Sequence, residues 1–287
     1  MHTTVLGSFG LLRAEGADAR AFLHAQLTVD VEQLAADRAR RAGWCSAKGR
    51  LLATFLLVPA GDGFLLQLSR DLAAPVAKRL AMFILRAKVK VSNVTESWPQ
   101  YGIWGDDAGA GLEALGLSAP EDDLGVTQSN GRIAVRIGAK RFLMLGGADV
   151  VADAGEQDWT LGEIRSGRPT VTQATQDQLV PQMANFELIG GVDFRKGCYP
   201  GQEIVARAQY RGAVKRRLYR LRSPVPLTPG QELFSDDLPG QASGTVMNAA
   251  AGEALAVLTI ASIEAKAPIR AAAGGEALEV LPLPYAW

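Results

Sequence analysis

The chain has 287 residues, 48% apolar and 21% charged, so it can bury a large core and is too apolar to be disordered. Thirty Lys and Arg balance thirty Asp and Glu, which excludes a surface built as a whole to coat nucleic acid or an acidic membrane; any basic site must be local. No apolar run reaches the roughly 18 residues of a membrane span, and no Lys or Arg precedes the apolar run at 5–12 as a signal peptide requires.

Two cysteines, Cys45 and Cys198, are too few for a disulfide framework and point to a reducing cytoplasm. Beside them only His2 and His24 offer soft ligands, in no zinc spacing, so no bound metal is expected. A cluster held by four thiolates would need ligands from outside the chain.

In chain order, residues 5–13 read as a strand. Asp18 stands at an N-cap before a helix over 19–27, where Phe22, Leu23 and Leu27 share a face with Gln26. Runs at 41–47, 50–58 and 63–69, parted by Lys48-Gly49 and by Gly61-Asp62-Gly63, predict an antiparallel meander. Asp71 opens a helix with Val76, Leu80, Phe83 and Ile84 at helical spacing, and 88–94 returns to strand alternation. Residues 106–123 hold six acids and no Lys or Arg, which reads as a solvated helix and loop. Residues 132–145 alternate as a hairpin broken at Gly138-Ala139-Lys140; strands and helices then mix without a βαβ rhythm. Neither GxGxxG nor GxxxxGK[ST] occurs.

From Arg217 onward, short β-like runs at 217–221, 231–234, 242–247, 254–260 and 277–281 are split by Pro and Gly turns, as in a small barrel or sandwich. The organisation expected is α+β, with an α+β region over 1–212 and a β-barrel over 213–287.

Residues 181–217 are dense in glycine, amide, aromatic and basic side chains. Between Arg195 and Arg220 lie eight cations (Arg195, Lys196, Arg207, Arg211, Lys215, Arg216, Arg217, Arg220) and one acid, Glu203, a local charge of plus seven that the rest of the chain balances. Such a patch suits a carboxylate-tailed cofactor, a phosphate or RNA, and equally a solvated basic face. Cys198 sits between Gly197 and Tyr199, after Arg195 and Lys196 and before Pro200-Gly201. Cationic neighbours favour a thiolate and the turn residues favour exposure, so this cysteine is the candidate reactive thiol, with Lys196 beside it. Cys45, between Trp44 and Ser46 in an expected strand, reads as inert core.

The stretch Lys196-Gly197-Cys198-Tyr199-Pro200-Gly201-Gln202-Glu203, followed by Ala206-Arg207 and Tyr210-Arg211-Gly212, resembles the signature of the YgfZ-type folate-binding proteins. Pro181-Gln182 and Asn185 lie upstream at that family's spacing, and Phe22-Leu23, Gln26-Leu27-Thr28, Asp30-Val31 and the run 45–51 look like its N-terminal landmarks. The resemblance implies a fold shared with the aminomethyltransferase (T-protein) of the glycine cleavage system: an α+β folate-binding region of two subdomains, a C-terminal barrel and a central channel. It implies tetrahydrofolate or a derivative as cofactor. It implies a factor that assembles or maintains iron-sulfur clusters in client enzymes, including those that thiolate tRNA. Arg207 and Arg211 would then meet the folate's glutamate tail, Trp44 or Tyr210 would wall the pterin, and Asn185 would join them. Gly197, Tyr199, Gly201, Gln202 and Glu203 belong to the motif around the thiol.

Two departures separate this chain from the transferase. Its acidic pair is replaced by Ala53 and Thr54, neither of which can serve as a general base. Its pterin-binding Glu is replaced by Arg165, which donates hydrogen bonds only, leaving Glu163 as the neighbouring carboxylate. The alternatives are a one-carbon (aminomethyl or methyl) transferase using another acid, and a tRNA-binding protein using the 195–220 patch.

Overall fold

The computed structural model describes residues 1–147, 150–212, 214–272 and 274–286. They form two compact units, one of Met1–Ala42 with Phe55–Trp159, the other of Gly43–Thr54 with Thr160–Trp287.

The chain opens with β1 (His2–Val5) and β2 (Phe9–Glu15), then α1 (Ala19–Gln26), β3 (Arg40–Cys45), β4 (Leu51–Ala60), β5 (Gly63–Ser69), α2 (Arg70–Ala81) and β6 (Lys90–Asn93). The strand expected at 5–13 is therefore two strands broken at Gly7-Ser8, where the Glu156 carboxylate accepts from the Ser8 amide at 3.0 Å and its hydroxyl at 2.6 Å. Asp18 does precede α1, but its carboxylate accepts from the Lys88 amide at 2.6 Å instead of capping the helix. The loop that carries the landmark Asp30-Val31 is held from α1, where Arg20 Nη1 donates to the carbonyls of Val31 and Leu34 at 2.6 and 2.9 Å. Helix α2 stops at Ala81, so Phe83 and Ile84 lie beyond it, and Phe83 is exposed with its neighbours Met82 and Leu85.

Next come β7 (Gln100–Trp104), α3 (Ala108–Ala114), β8 (Val126–Ser129), β9 (Arg132–Gly138) and β10 (Arg141–Leu145). Two five-stranded sheets result, ordered β1-β7-β10-β9-β8 and β3-β4-β5-β2-β6. The period-2 pattern of β9 and β10 serves both faces of the first sheet. Ile133, Val135, Leu143 and Leu145 meet Leu11, Val58 and Leu65 of the second sheet, while Ala134, Phe142 and Met144 meet Leu112 and Leu117. Each such large buried side chain contributes about 1.5–3 kcal/mol. The acidic stretch 106–123 is thus solvated on one side only: its six acids are exposed, whereas Ala108, Leu112 and Leu117 are core.

After β10 come α4 (Glu156–Arg165), a 3₁₀ turn (Pro181–Ala184) and α5 (Gln202–Tyr210), and among the described residues no strand intervenes before Arg216. The mixture of strands and helices expected there is helix and loop alone. An amide side chain ties that loop to the barrel strand Ala242–Ala250: Asn248 Oδ1 accepts from the Thr170 amide at 2.8 Å and its Nδ2 donates to the Thr170 carbonyl at 3.0 Å.

The remaining elements are β11 (Arg216–Arg222), β12 (Glu232–Ser235), β13 (Ala242–Ala250), β14 (Glu253–Thr259), α6 (Ile260–Glu264), β15 (Ile269–Arg270) and β16 (Ala277–Leu281). Their strands close a barrel in the order β11-β14-β13-β12-β15-β16 around Leu221, Leu233, Val246, Ala256, Leu258 and Ile269. The two-residue β15, absent from the sequence expectation, completes the closure between β12 and β16.

Candidate functional site

Within the second unit, residues 196–203 form a braced loop that leads into α5. Lys196 is buried, with Nζ 4.8 Å from the centre of the Tyr199 ring. Tyr199 is buried too, and burial together with nearby Cys45 pushes its hydroxyl pKa up. Gln202 closes the loop, its amide side chain donating to the Lys196 carbonyl at 3.5 Å and its backbone N–H to that of Tyr199 at 3.2 Å.

Gly201 has φ +79°, and a Cβ there would lie 2.3 Å from the Ser46 carbonyl oxygen and 2.6 Å from Gly49 Cα. The β3–β4 hairpin tip and the motif loop therefore meet backbone to backbone, which only glycine permits. Gly49 is constrained from the same direction, since a Cβ on it would approach Ile204 at 2.8 Å. Glu203 lies exposed in the first turn of α5, where a negative charge suits the helix dipole.

Cys198 is exposed, with exposed Gly197 before it and buried Tyr199 after it. Cys45 is its opposite. It is buried on β3, and burial, reinforced by the charge of Asp177, pushes its thiol up to about 12. Asp177, which sequence reasoning missed, accepts from the Ser46 hydroxyl at 2.8 Å and donates its backbone N–H to the Leu51 carbonyl at 2.8 Å. Its stretch carries no periodicity that marks it; only its left-handed φ of +58° sets it apart.

The other expected site residues divide sharply. Trp44 is wholly buried in β3. Asn185 is buried at φ +51°; its Nδ2 donates to the Leu218 carbonyl at 3.0 Å, and its Oδ1 accepts from Arg217 and from the Leu218 amide at 3.4 Å. Arg207, Tyr210 and Arg211 are exposed on α5 and just beyond it, and Tyr210 is 69% exposed.

Ala53 and Thr54 are buried on β4, and the Thr54 hydroxyl accepts from the Val171 amide at 3.0 Å, so no carboxylate stands at either position. Arg165 turns to Glu253, donating from Nη2 at 2.8 Å and Nε at 3.1 Å. Glu163 pairs with Arg168 at 3.4 Å.

Upstream of the motif, Arg217 binds the Gln182 carbonyl at 2.8 Å and forms an ion pair with Glu187. Burial raises the Glu187 carboxyl pKa, against the opposing pull of Arg217. Glu187 Oε2 and Gln182 Oε1 are buried acceptors without a hydrogen-bond partner among the described residues. Among those residues no group of three or more His, Cys, Asp or Glu is placed to hold a metal ion, and no helix is long and apolar enough to cross a membrane.

No family model matches the chain. It is 32% identical over 238 residues to the tRNA-modifying protein YgfZ of Vibrio vulnificus (strain YJ016), covering 77% of this chain and 70% of that one. The chain belongs to the YgfZ family. The YgfZ protein of Escherichia coli (strain K12 / DH10B) is likewise 32% identical over 243 residues, 79% of this chain and 74% of its own length. Among solved structures, the glycine cleavage system aminomethyltransferase T of Bartonella henselae superposes with a TM-score of 0.77 at 18% identity, over 99% of this chain and 85% of that one. The α+β organisation with a C-terminal barrel expected from the motif is thus the T-protein fold, carried by a YgfZ-family chain.

Proposed function

We propose that this chain is a folate-dependent accessory factor for tRNA modification, acting in the cytoplasm, that assembles or maintains iron-sulfur clusters in client enzymes through the thiol of Cys198. The observation that carries the reading is the contrast within the motif: Lys196, Tyr199, Gly201 and Gln202 are spent on holding the loop, while Cys198 is exposed. An exposed thiol is a nucleophile and a soft ligand for iron, so it can meet a cluster or its sulfur on another protein, with the cluster as cargo. The family's relatives are named for tRNA modification, which supplies the pathway.

A pterin ring presents N–H donors that need acceptors. Arg165 has none to offer and is engaged with Glu253, and Glu163 is drawn to Arg168. Glu187 Oε2 and Gln182 Oε1 meet the requirement: both are buried acceptors awaiting a donor, a state that costs about 1–3 kcal/mol until it is satisfied. These two residues would receive the pterin's donor edge. Tetrahydrofolate, when bound, supplies a carrier of one-carbon units. The acids of the transferase are absent at Ala53 and Thr54, which favours the accessory factor over the transferase.

The test is a titration of reduced protein with tetrahydrofolate and its 5-formyl analogue, followed by tryptophan fluorescence, in the wild type and in Cys198→Ala. Saturable binding in both is expected. The variant is expected to leave tRNA thiolation unrestored in a strain lacking the gene, while its melting temperature stays unchanged. Full rescue by Cys198→Ala removes the thiol role; absence of binding at millimolar folate removes the cofactor.

A further inference from the structure

We propose that the exposed face of α5 and the loop before it form a docking platform for unpaired RNA, with Tyr210 as the ring on which a base stacks. The proposal deepens the tRNA-modification reading above and rests on it for the class of partner. It reassigns three residues that the family resemblance gives to folate.

The basic patch does not act as one block. Of its eight cations, Lys196 is buried, Arg217 is paired with Glu187, and Arg220 lies 3.4 Å from the buried Glu253 carboxylate. Arg216 is half-buried, with Nη2 donating to the Ala242 carbonyl at 3.4 Å. These four are turned into the fold. Arg195, Arg207, Arg211 and Lys215 are exposed, with Glu203 the exposed acid a turn before Arg207.

Three of these cations lie beside an aromatic pair in the chain: Arg195 follows Phe194, and Arg207 and Arg211 lie a turn before and a residue after Tyr210. Tyr210 meets Phe194 edge to face, ring centres 5.9 Å apart at 68°, yet stays 69% exposed. Arg207, Tyr210 and Arg211 fall at i, i+3 and i+4, so they share one side of the helix end. An open, braced aromatic ring among guanidinium groups is the arrangement that binds single-stranded nucleic acid, where bases stack and phosphates meet cations. It suits a folate poorly, because small-molecule sites cover most of the ligand surface and a ring this open encloses nothing. Duplex RNA keeps its bases stacked on one another, so the platform selects loops and single strands.

The experiment measures binding of an unmodified tRNA transcript, a short single-stranded RNA and a matched duplex by fluorescence anisotropy across salt concentrations. The proteins are the full-length wild type, Tyr210→Ala, Tyr210→Phe and the Arg207→Glu/Arg211→Glu double variant, each also titrated with 5-formyltetrahydrofolate. Tyr210→Ala is expected to weaken single-strand and tRNA binding about 5- to 150-fold, with Tyr210→Phe near wild type. Four phosphate contacts at about −0.7 each predict a log–log salt slope of about −2.8, which the double variant makes shallower by about 1.4.

Folate binding unchanged in these variants supports the proposal. So does tRNA binding that depends on Tyr210 in a protein that binds no folate, an outcome that fails only the cofactor reading. Tyr210→Ala that spares RNA but weakens folate overturns the proposal in favour of the cofactor. Wild-type protein that does not bind single strands, or binds the duplex equally well, overturns it in favour of an acidic protein partner.

Discussion

Gly201→Ala tests whether the close approach of the motif loop to the hairpin tip holds Cys198 in place. At φ +79° an alanine pays roughly 1–2 kcal/mol for the left-handed conformation alone. Its Cβ would also lie 2.3 Å from the Ser46 oxygen and 2.6 Å from both Gly49 Cα and Gly49 N, all backbone atoms with no rotamer to yield. Relief requires the 46–49 turn to move. That turn is held by hydrogen bonds of 2.8 Å from Ser46 N to the Arg50 carbonyl, from Gly49 N to the Ser46 carbonyl, and from the Ser46 hydroxyl to Asp177. Losing one or two of these at about 1 kcal/mol each brings the expected cost to about 2–4 kcal/mol. Gly240→Ala is the control, at φ +73° in the same unit with nothing within 4 Å of its Cβ, and should cost only the conformational 1–2 kcal/mol, roughly. Urea unfolding of the full-length variants reads the difference of about 1–2 kcal/mol from their midpoints. Equal midpoints would refute the reasoning: the loop would then not depend on the backbone contact, and Gly201 would be needed for its φ alone.

Two further outcomes follow from the same geometry. Native, reduced protein treated with iodoacetamide at pH 8 should take one label, on exposed Cys198, because Cys45 is buried with its thiol pushed up to about 12; peptide mapping that finds Cys45 labelled at a comparable rate refutes this. Burial raises the Glu187 carboxyl above its ordinary value of 4.5, so its favourable contribution is present below that pH and is lost as pH rises through the folded value. Wild type should therefore lose melting temperature relative to Glu187→Gln as pH rises above about 4.5, and a difference that stays constant or reverses refutes it.

The sequence exposes those features that are local. The barrel strands were legible because Pro229-Gly230, Pro239-Gly240 and their like mark turns, while β15 was not, because two residues carry no period. The core role of Leu112 and Leu117 hides behind six acids, since charge composition describes the outer face of a segment and not the inner one. The exposure of Cys198 could be read from its Gly and Pro flanks alone. The Gly49–Gly201 approach, the Asp177 tie and the orphaned acceptors of Glu187 and Gln182 could not, because each depends on segments far apart in sequence meeting in the fold. Composition gave the basic patch its net charge, but only the structure separates the cations that build the barrel's ties from those that face outward.

The loop and the platform share one rigid element, and this constrains how they can work together. Helix α5 starts one residue after Gly201, itself locked to the hairpin tip, and ends at Tyr210 nine residues later. At 1.5 Å per residue the helix is about 13 Å long. Tyr210 stands at the far end of that helix from Gly201, yet its ring meets Phe194, four residues before Cys198, so the loop that carries the thiol borders the platform and both can engage one assembly. Under the proposed function the thiol would serve a cluster or sulfur on a client enzyme while the RNA is held alongside. A Cys198→Ala variant that binds RNA with wild-type affinity yet restores no tRNA thiolation is the combination the two proposals together require, and loss of RNA affinity on removing the thiol would place Cys198 at the RNA itself.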